Sequence, residues 1–222
     1  MTSVIILAGG KGKRMGSKVS KQFIEIKDKP ILYYTLKRFI DNKNIDQIFL
    51  VLPKDEIEYC KKEVLEKYSL KVDKIVEGGS ERQDSVYNAL KRMDNTDIVL
   101  IHDGARPIIS DKIIDEGIKY ARVYGAAAPG VMPKDTIKVK NEENFSVNTP
   151  DRSSLVAIQT PQVFKYENIM RCHEKVKENG DIVTDDTMVA EKYGYKVYLY
   201  DGEYTNIKIT TPDDIILAER LV

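Results

Sequence analysis

Short apolar runs and helix-type patterns alternate along the first half of this chain. The runs, which are typical of buried strands, fall at 4–7, 47–52, 72–76 and 97–102. Between them, apolar positions recur at helical spacing and predict helices over 30–40 and 55–68 and a further helix from Val86. Strands that alternate with helices predict an α/β fold, in which a mostly parallel sheet is covered on both faces and ligands bind at the carboxyl ends of the strands.

The pattern changes after Ala126. Residues 134–149 alternate loosely between apolar and polar positions and contain turn-forming asparagines, which predicts an extended hairpin. Because such a hairpin has little to bury against in its own chain, we expect the 134–157 excursion to be a β-arm that contacts another subunit. The rest of the chain returns to the sheet, so residues 1–222 are predicted to form one domain. This part predicts strands at 157–164, 195–200 and around Lys208, and helices at 167–178 and from Pro212.

The amino-acid composition limits which classes of molecule the chain is expected to bind. Lys plus Arg and Asp plus Glu both number 35, so the formal charge is zero and no global field attracts nucleic acid or a membrane. There is no signal-peptide pattern, and no apolar run approaches the roughly 18 residues needed to span a bilayer. Cys60 and Cys172 lie far apart without a metal-binding motif, so we expect inert thiols in a cytoplasmic protein.

The loop after the first strand is rich in glycine and positive charge. Ala8, Gly9, Gly10 and Gly12 permit close backbone approach, and five cations follow at Lys11, Lys13, Arg14, Lys18 and Lys21. This combination favours a polyphosphate site, although a solvated basic loop would have the same composition. The third glycine of a dinucleotide fingerprint is replaced by Met15, and the Walker A pattern is absent.

Other candidate residues lie at further strand ends. Asp103 follows a buried strand, where it could hold Mg²⁺ or form an Asx-turn, and Arg106 could bind phosphate or pair with Asp103. Near Gly78 and Gly79, Ser85 could cap a helix or contact a nucleotide base; capping is the safer interpretation.

Residues later in the chain could hold a second phosphate or be solvated charges. Arg152 follows the predicted hairpin, and Lys208 comes near the end of the chain. The sequence Thr184-Asp185-Asp186 could orient a hydroxylated substrate or cap a helix. His102 and His173 lack a nearby nucleophile motif, so triad hydrolysis is not supported.

In the order of these stretches, the chain resembles the 2-C-methyl-D-erythritol 4-phosphate cytidylyltransferase family of the non-mevalonate isoprenoid pathway. The resemblance covers essentially the whole chain and implies a Rossmann-like α/β domain, CTP as donor, Mg²⁺ or another divalent cation as cofactor, and a homodimer joined by the β-arm. It rests on the first loop with Lys21-Gln22, Gly78-Gly79-x-x-Arg82-x-x-Ser85-Val86, His102-Asp103-x-Ala105-Arg106-Pro107, Asp135-Thr136, Gln159-Thr160-Pro161-Gln162, Thr184-Asp185-Asp186 and Asn206-Ile207-Lys208-Ile209-Thr210.

The resemblance also implies a role for each matching residue. The catalytic set would be Arg14, Lys21, Lys208 and Arg152, and Asp103 would be the metal ligand. The nucleotide would contact Ala8, Gly9, Gly10, Gly12, Gly79, Ser85, Asp103, Gly104 and Arg106. The acceptor would contact Thr136, Arg152, Thr184 and Lys208, with Thr136 and Arg152 serving the neighbouring subunit.

Two departures and two alternatives accompany the resemblance. Thr205 stands where some members would have an acidic residue that holds the polyol, and Gly104 replaces a common alanine. Ribitol 5-phosphate cytidylyltransferases share most phosphate-handling motifs, so ribitol 5-phosphate is the alternative acceptor. A nucleotide-binding sensor without catalysis is the other alternative, although it would not need the cations of a second phosphate.

Overall fold

The computed structural model of the chain describes residues 1–10 and 20–222. The predicted site residues Gly12 and Arg14 lie outside the described residues, as do Lys11, Lys13 and Lys18. The strands are β1 Thr2–Leu7, β2 Glu25–Ile26, β3 Lys29–Pro30, β4 Gln47–Leu52, β5 Lys74–Glu77, β6 Ile98–Asp103, β7 Ala126–Val131, β8 Val139–Lys140, β9 Ser146–Asn148, β10 Ala157–Ile158, β11 Gln162–Lys165 and β12 Tyr198–Asp201. The α-helices are α1 Ile31–Asp41, α2 Ile57–Cys60, α3 Arg82–Leu90, α4 Asp111–Tyr124, α5 Tyr166–Asn179, α6 Asp186–Lys192 and α7 Pro212–Leu221.

A mixed, mostly parallel sheet forms the centre of the fold, which confirms the predicted class. Its strand order is β10-β7-β11-β6-β1-β4-β5, and β12 also pairs with β7. β4 and β6 flank β1 in parallel, whereas β11 runs antiparallel between β6 and β7. Leu7 at the end of β1 pairs with Asp103 on one side and Val51 on the other. The carboxyl ends of three neighbouring strands therefore meet at one edge of the sheet.

Helices cover both faces because the central strands are apolar on both sides. Val4 and Ile6 of β1 pack into a core with α1 and α4. Ile5, which points to the opposite face, packs with α3, α5 and α6. Burial on both faces explains why β1, β4 and β6 have continuous apolar sequences.

Several elements differ from the sequence-based prediction. The helical pattern at 55–68 forms a 3₁₀ turn at Lys54–Glu56, the short helix α2 and a π-helical turn at Lys61–Glu66. Helix α4, which Ser110 caps, was not predicted. Helix α6 begins in the stretch Thr184-Asp185-Asp186, for which a helix cap was one of two interpretations, and Asp185 caps it. The strand predicted around Lys208 is wrong, because this segment is irregular and is joined to the rest of the fold by a hydrogen bond from Ile209 N–H to Ala105 O.

The β-arm is a separate two-stranded hairpin, as the sequence predicts. β8 and β9 pair antiparallel with each other and form their own sheet. Phe145 and Val147 on this hairpin have exposed fractions of 67% and 66%. In the part of the chain that the structure describes, no helix is long and apolar enough to cross a membrane.

Candidate active site

A cavity of about 270 Å³ opens at the carboxyl ends of β1, β4 and β6. Nine of the residues that the sequence selects line it, and these are Ala8, Gly9, Gly10, Lys21, Gly79, Ser85, Asp103, Gly104 and Lys208. They come from separate parts of the chain and meet because parallel strands end at a common edge.

Lys21 reaches the cavity from a short 3₁₀ turn, Lys21–Phe23. Glu56 holds this turn from the side, since its carboxylate accepts hydrogen bonds from the Ser20 hydroxyl and the Gln22 amide. Gln22 is buried, so the backbone next to Lys21 is well anchored. The backbone at Lys21 is thus held in place, and Lys21 lines the same cavity as the glycine-rich end of β1.

The 78–85 segment forms the wall beside β4. The Ser85 hydroxyl accepts a hydrogen bond from Gly79 N–H at 3.0 Å and donates one to Glu81 O at 3.1 Å. Glu81 is the residue that caps α3, in a reciprocal capping box with Asp84, so the prediction that Ser85 caps the helix is wrong. A Cβ on Gly79 would lie 2.2 Å from the Asp84 Cβ, so this turn requires glycine. Ser85 therefore fixes the turn through backbone contacts.

Asp103 ends β6 among three cations. The Lys208 Nζ lies 2.8 Å from Oδ2, and the Nε atoms of Arg82 and Arg106 each lie 3.8 Å from a carboxylate oxygen. Burial alone would raise the pKa of Asp103, but Lys208, Arg82 and Arg106 outweigh burial and lower the pKa to about 2. Asp103 is consequently ionised at neutral pH and concentrates positive charge at the cavity.

Arg106 does not line the cavity; it positions the segment that contains Lys208. Its guanidinium donates a hydrogen bond of 2.7 Å to Asn206 O, and the nearby Ala105 carbonyl accepts one from Ile209 N–H at 2.9 Å. These two contacts hold the segment on both sides of Lys208. Of the alternatives for Arg106, pairing with Asp103 is the one the structure contains.

His102 is held as a neutral, structural side chain. It is fully buried, and its ring nitrogens contact the Arg106 carbonyl and the Thr160 hydroxyl, each at 3.1 Å. Burial lowers the pKa of His102 to about 4. This agrees with the sequence-based expectation that His102 is not a general base.

Arg82 lines the cavity although the sequence analysis gave it no role. Besides Asp103, it contacts Asp186, whose Oδ2 lies 2.7 Å from the Arg82 Nη1. Asp186 is buried and also contacts His173 at 3.1 Å. The signal available in the sequence was the position of Arg82 within the Gly78-Gly79-x-x-Arg82 motif.

Three predicted acceptor residues do not line the cavity. Thr136 and Arg152 lie on the arm segment, where the Arg152 guanidinium donates a hydrogen bond of 3.3 Å to the Thr136 hydroxyl. Thr184 is exposed in the loop before α6. Within one chain, three of the four acceptor-side candidates therefore lie apart from the nucleotide-side candidates, and only Lys208 lines the same cavity.

Comparison with known proteins identifies the family. The model of the 2-C-methyl-D-erythritol 4-phosphate cytidylyltransferase family matches residues 2–222. The chain belongs to this family. A cytidylyltransferase of that name from Clostridium perfringens (strain SM101 / Type A) is 66% identical over 218 residues, which cover 98% of this chain and 97% of the relative. Another from Clostridium beijerinckii is 62% identical over 222 residues, covering 100% of this chain and 98% of the relative.

Solved structures agree with this assignment. The 4-diphosphocytidyl-2C-methyl-D-erythritol synthase from Anaerococcus prevotii superposes with a TM-score of 0.87 at 36% identity, over 99% of this chain and 95% of that one. The cytidylyltransferase from Francisella tularensis gives 0.83 at 30% identity, over 100% and 99%. The sequence-based predictions of the family, of a nucleotidyltransferase of isoprenoid biosynthesis, and of 2-C-methyl-D-erythritol 4-phosphate as acceptor are confirmed.

Proposed function

We propose that the cavity at the ends of β1, β4 and β6 is where this cytidylyltransferase moves the cytidylyl group of CTP to 2-C-methyl-D-erythritol 4-phosphate. The observation that carries the proposal is the convergence of a glycine-rich strand end with Lys21, Arg82 and Lys208 around Asp103. A triphosphate needs close backbone approach and several cations, and this cavity offers both.

CTP would lie along the glycine-rich side of the cavity. Ala8, Gly9, Gly10 and Gly104 are its proposed neighbours near β1 and β6, and Gly79 and Ser85 would contact the cytidine. The proposal includes Gly12 and Arg14 on sequence grounds alone, and Arg106 supports the nucleotide indirectly through Asp103. Because the hydrogen bond from Gly79 N–H to the Ser85 hydroxyl already fixes this turn, this side needs little rearrangement to bind a base.

The acceptor phosphate is its own nucleophile. A phosphate monoester has a second pKa near 6 and is ionised at neutral pH, so the reaction needs no strong general base. An acceptor oxygen forms a bond to the α-phosphorus, the bond from that phosphorus to the bridging oxygen breaks, and pyrophosphate leaves with the electron pair. Lys21, Lys208 and Arg14 would neutralise the negative charge that accumulates during this step.

The residues around Asp103 fit a divalent cation that arrives with the nucleotide. Within the described residues there is no cluster of three His, Cys, Asp or Glu side chains. Mg²⁺ nevertheless needs only one or two carboxylates when phosphates complete its ligands. Asp103 would hold Mg²⁺ together with triphosphate oxygens, and the ion would supply further charge neutralisation there.

The arm would bring Thr136 and Arg152 to the acceptor in a neighbouring subunit. The two residues lie in the arm segment, one on each side of the β8–β9 hairpin, whose apolar side chains Phe145 and Val147 are exposed, which favours burial against a second copy of the chain. Thr184 and Lys208 would contact the acceptor from the subunit that binds CTP. A homodimer is thus part of the proposal, and the cytoplasm is the proposed compartment.

The test measures pyrophosphate release by the purified chain with CTP, Mg²⁺ and one polyol phosphate. We expect release with 2-C-methyl-D-erythritol 4-phosphate and at least tenfold less with ribitol 5-phosphate. Thr205 makes this comparison informative, since an acidic polyol contact is missing at that position. Equal turnover of both acceptors would contradict the acceptor assignment, and no release with either would favour a nucleotide-binding sensor.

A further inference from the structure

Gln83, in the first turn of α3, contacts the backbone of the loop that precedes α6. Its side-chain amide donates a hydrogen bond of 2.9 Å to Asp181 O, and its side-chain oxygen accepts one of 3.3 Å from Val183 N–H. The two contacts span a single residue, Ile182, whose side chain is 89% exposed. Ile182 itself contributes no apolar packing. Val183 packs against the core, and the Asp181 carboxylate is held by Tyr193 and Lys192. The Gln83 amide joins the backbone of this loop to α3.

A second glutamine holds the other end of the same loop. The Gln162 side-chain oxygen accepts hydrogen bonds from Asp186 N–H and Thr187 N–H at 2.9 and 3.0 Å, and its amide donates to Asp185 Oδ2 at 2.8 Å. Thr184 lies between these two attachment points and is exposed. Its position therefore depends on both glutamines, and Gln83 provides the link to α3.

The first turn of α3 also belongs to the wall of the nucleotide cavity. Arg82, the residue before Gln83, lines the cavity and contacts Asp186 at 2.7 Å. Ser85 lies two residues after Gln83 and lines the cavity as well. One helical turn thus contacts the proposed CTP site through Arg82 and Ser85, and contacts the loop of Thr184 through Gln83.

We infer that Gln83 is a positioning residue for the acceptor: it sets the place of Thr184 relative to the nucleotide cavity without touching either substrate. This inference rests on the proposed contact between Thr184 and the polyol phosphate. Nothing in the sequence pattern points to the role, because Gln83 and Val183 are 100 residues apart in the chain.

The direct test is Gln83→Met, which keeps the length of the side chain and removes both hydrogen bonds. Two neutral hydrogen bonds correspond to an effect of about tenfold or more, so we expect KM for 2-C-methyl-D-erythritol 4-phosphate to rise about tenfold. KM for CTP should stay within about twofold, because Arg82 and Ser85 are unchanged. Asn88→Ala is the matched control, since Asn88 lies on the same helix but donates to Glu77 O, and both KM values should stay near wild type.

A double-mutant cycle with Thr184→Ala separates this inference from the proposed function. If Gln83 acts through Thr184, Gln83→Met adds little to the acceptor KM of Thr184→Ala, whereas independent roles give effects that multiply. Should Thr184→Ala leave the acceptor KM unchanged, the proposed site itself fails. If Thr184→Ala raises that KM while Gln83→Met does not, or if both effects multiply, only the positioning role is overturned.

Amide hydrogen exchange at Val183 reports the contact independently of activity. Exchange should accelerate in Gln83→Met and not in Asn88→Ala, and unchanged exchange in Gln83→Met would also overturn the inference.

Discussion

The cavity at the sheet edge and the β-arm are built on different principles. The cavity lies at the edge of a sheet that is buried on both faces, and its charged residues contact one another, as in the group formed by Asp103, Lys208 and Arg82. The arm has its own two-stranded sheet, and its apolar side chains remain exposed. The cavity is therefore formed within one chain, whereas the apolar side chains of the arm are expected to be buried only against a second subunit.

The largest effect should come from the cavity side. Replacing Lys21 with alanine removes a cation that we propose to neutralise the triphosphate, while Glu56 still holds the neighbouring Ser20 and Gln22. We expect turnover to fall by about 100-fold or more, with the melting temperature little changed. Steady-state kinetics with CTP and the polyol phosphate measure this, and near-normal turnover would exclude Lys21 from the catalytic set.

Arg152→Ala should affect the acceptor and leave the nucleotide alone. Arg152 lies on the arm segment beside Thr136, outside the lining of the cavity in its own chain. Loss of one charged contact to phosphate should raise the acceptor KM by about tenfold or more. The control is the CTP KM in the same variant, because a comparable rise there would place Arg152 at the nucleotide instead.

Gly79→Ala should show the opposite selectivity. The added Cβ would lie 2.2 Å from the Asp84 Cβ, so the turn next to Ser85 must shift. We expect the CTP KM to rise about tenfold, in line with the roughly 1–3 kcal/mol typical of overpacking. The control is the acceptor KM of the same variant, which should stay near wild type, and an unchanged CTP KM would contradict a role of this turn in binding the nucleotide.

The prediction furthest from catalysis concerns the dependence of stability on pH, which depends on the core beneath the cavity. Burial lowers the pKa of His102 to about 4, from an ordinary value of 6.5. A lowered pKa means that the unfolded chain binds the proton first, so stability is fully present above pH 6.5 and falls as the pH drops towards 4. The loss should reach about 3 kcal/mol at pH 4, on the basis of 1.36 kcal/mol per pKa unit. Denaturant unfolding measures it, and His102→Gln should flatten the dependence between pH 6.5 and 4.

The sequence predicts the buried strands well because their apolar runs are continuous. Asp103 and Lys21, which both line the cavity, were also selected as candidate site residues because each comes after such a strand. Helix α4 was missed although Ser110, Ile114 and Gly125 carried cap and spacing signals of the usual kind.

Other features could not be obtained from local patterns. The alternation around Lys208 suggested a strand, yet the segment is fixed by Arg106 and Ala105 and does not join the sheet. Contacts such as Arg82 with Asp186 join residues more than 100 positions apart in the chain. Only the fold brings such pairs together, so a single sequence assigns them no role.

The most direct test of the contrast between cavity and arm mixes two impaired variants and measures the rate with the acceptor well below its KM, where Arg152→Ala also loses most of its activity. If the arm of one subunit completes the site of the other, a heterodimer of Lys21→Ala and Arg152→Ala chains contains one site with both residues intact. With random exchange in an equimolar mixture, we expect recovery of roughly a quarter of the wild-type rate, because about half of the dimers are mixed and each has one intact site. Turnover that stays at the average of the two separate variants after exchange would contradict a site completed by the partner subunit.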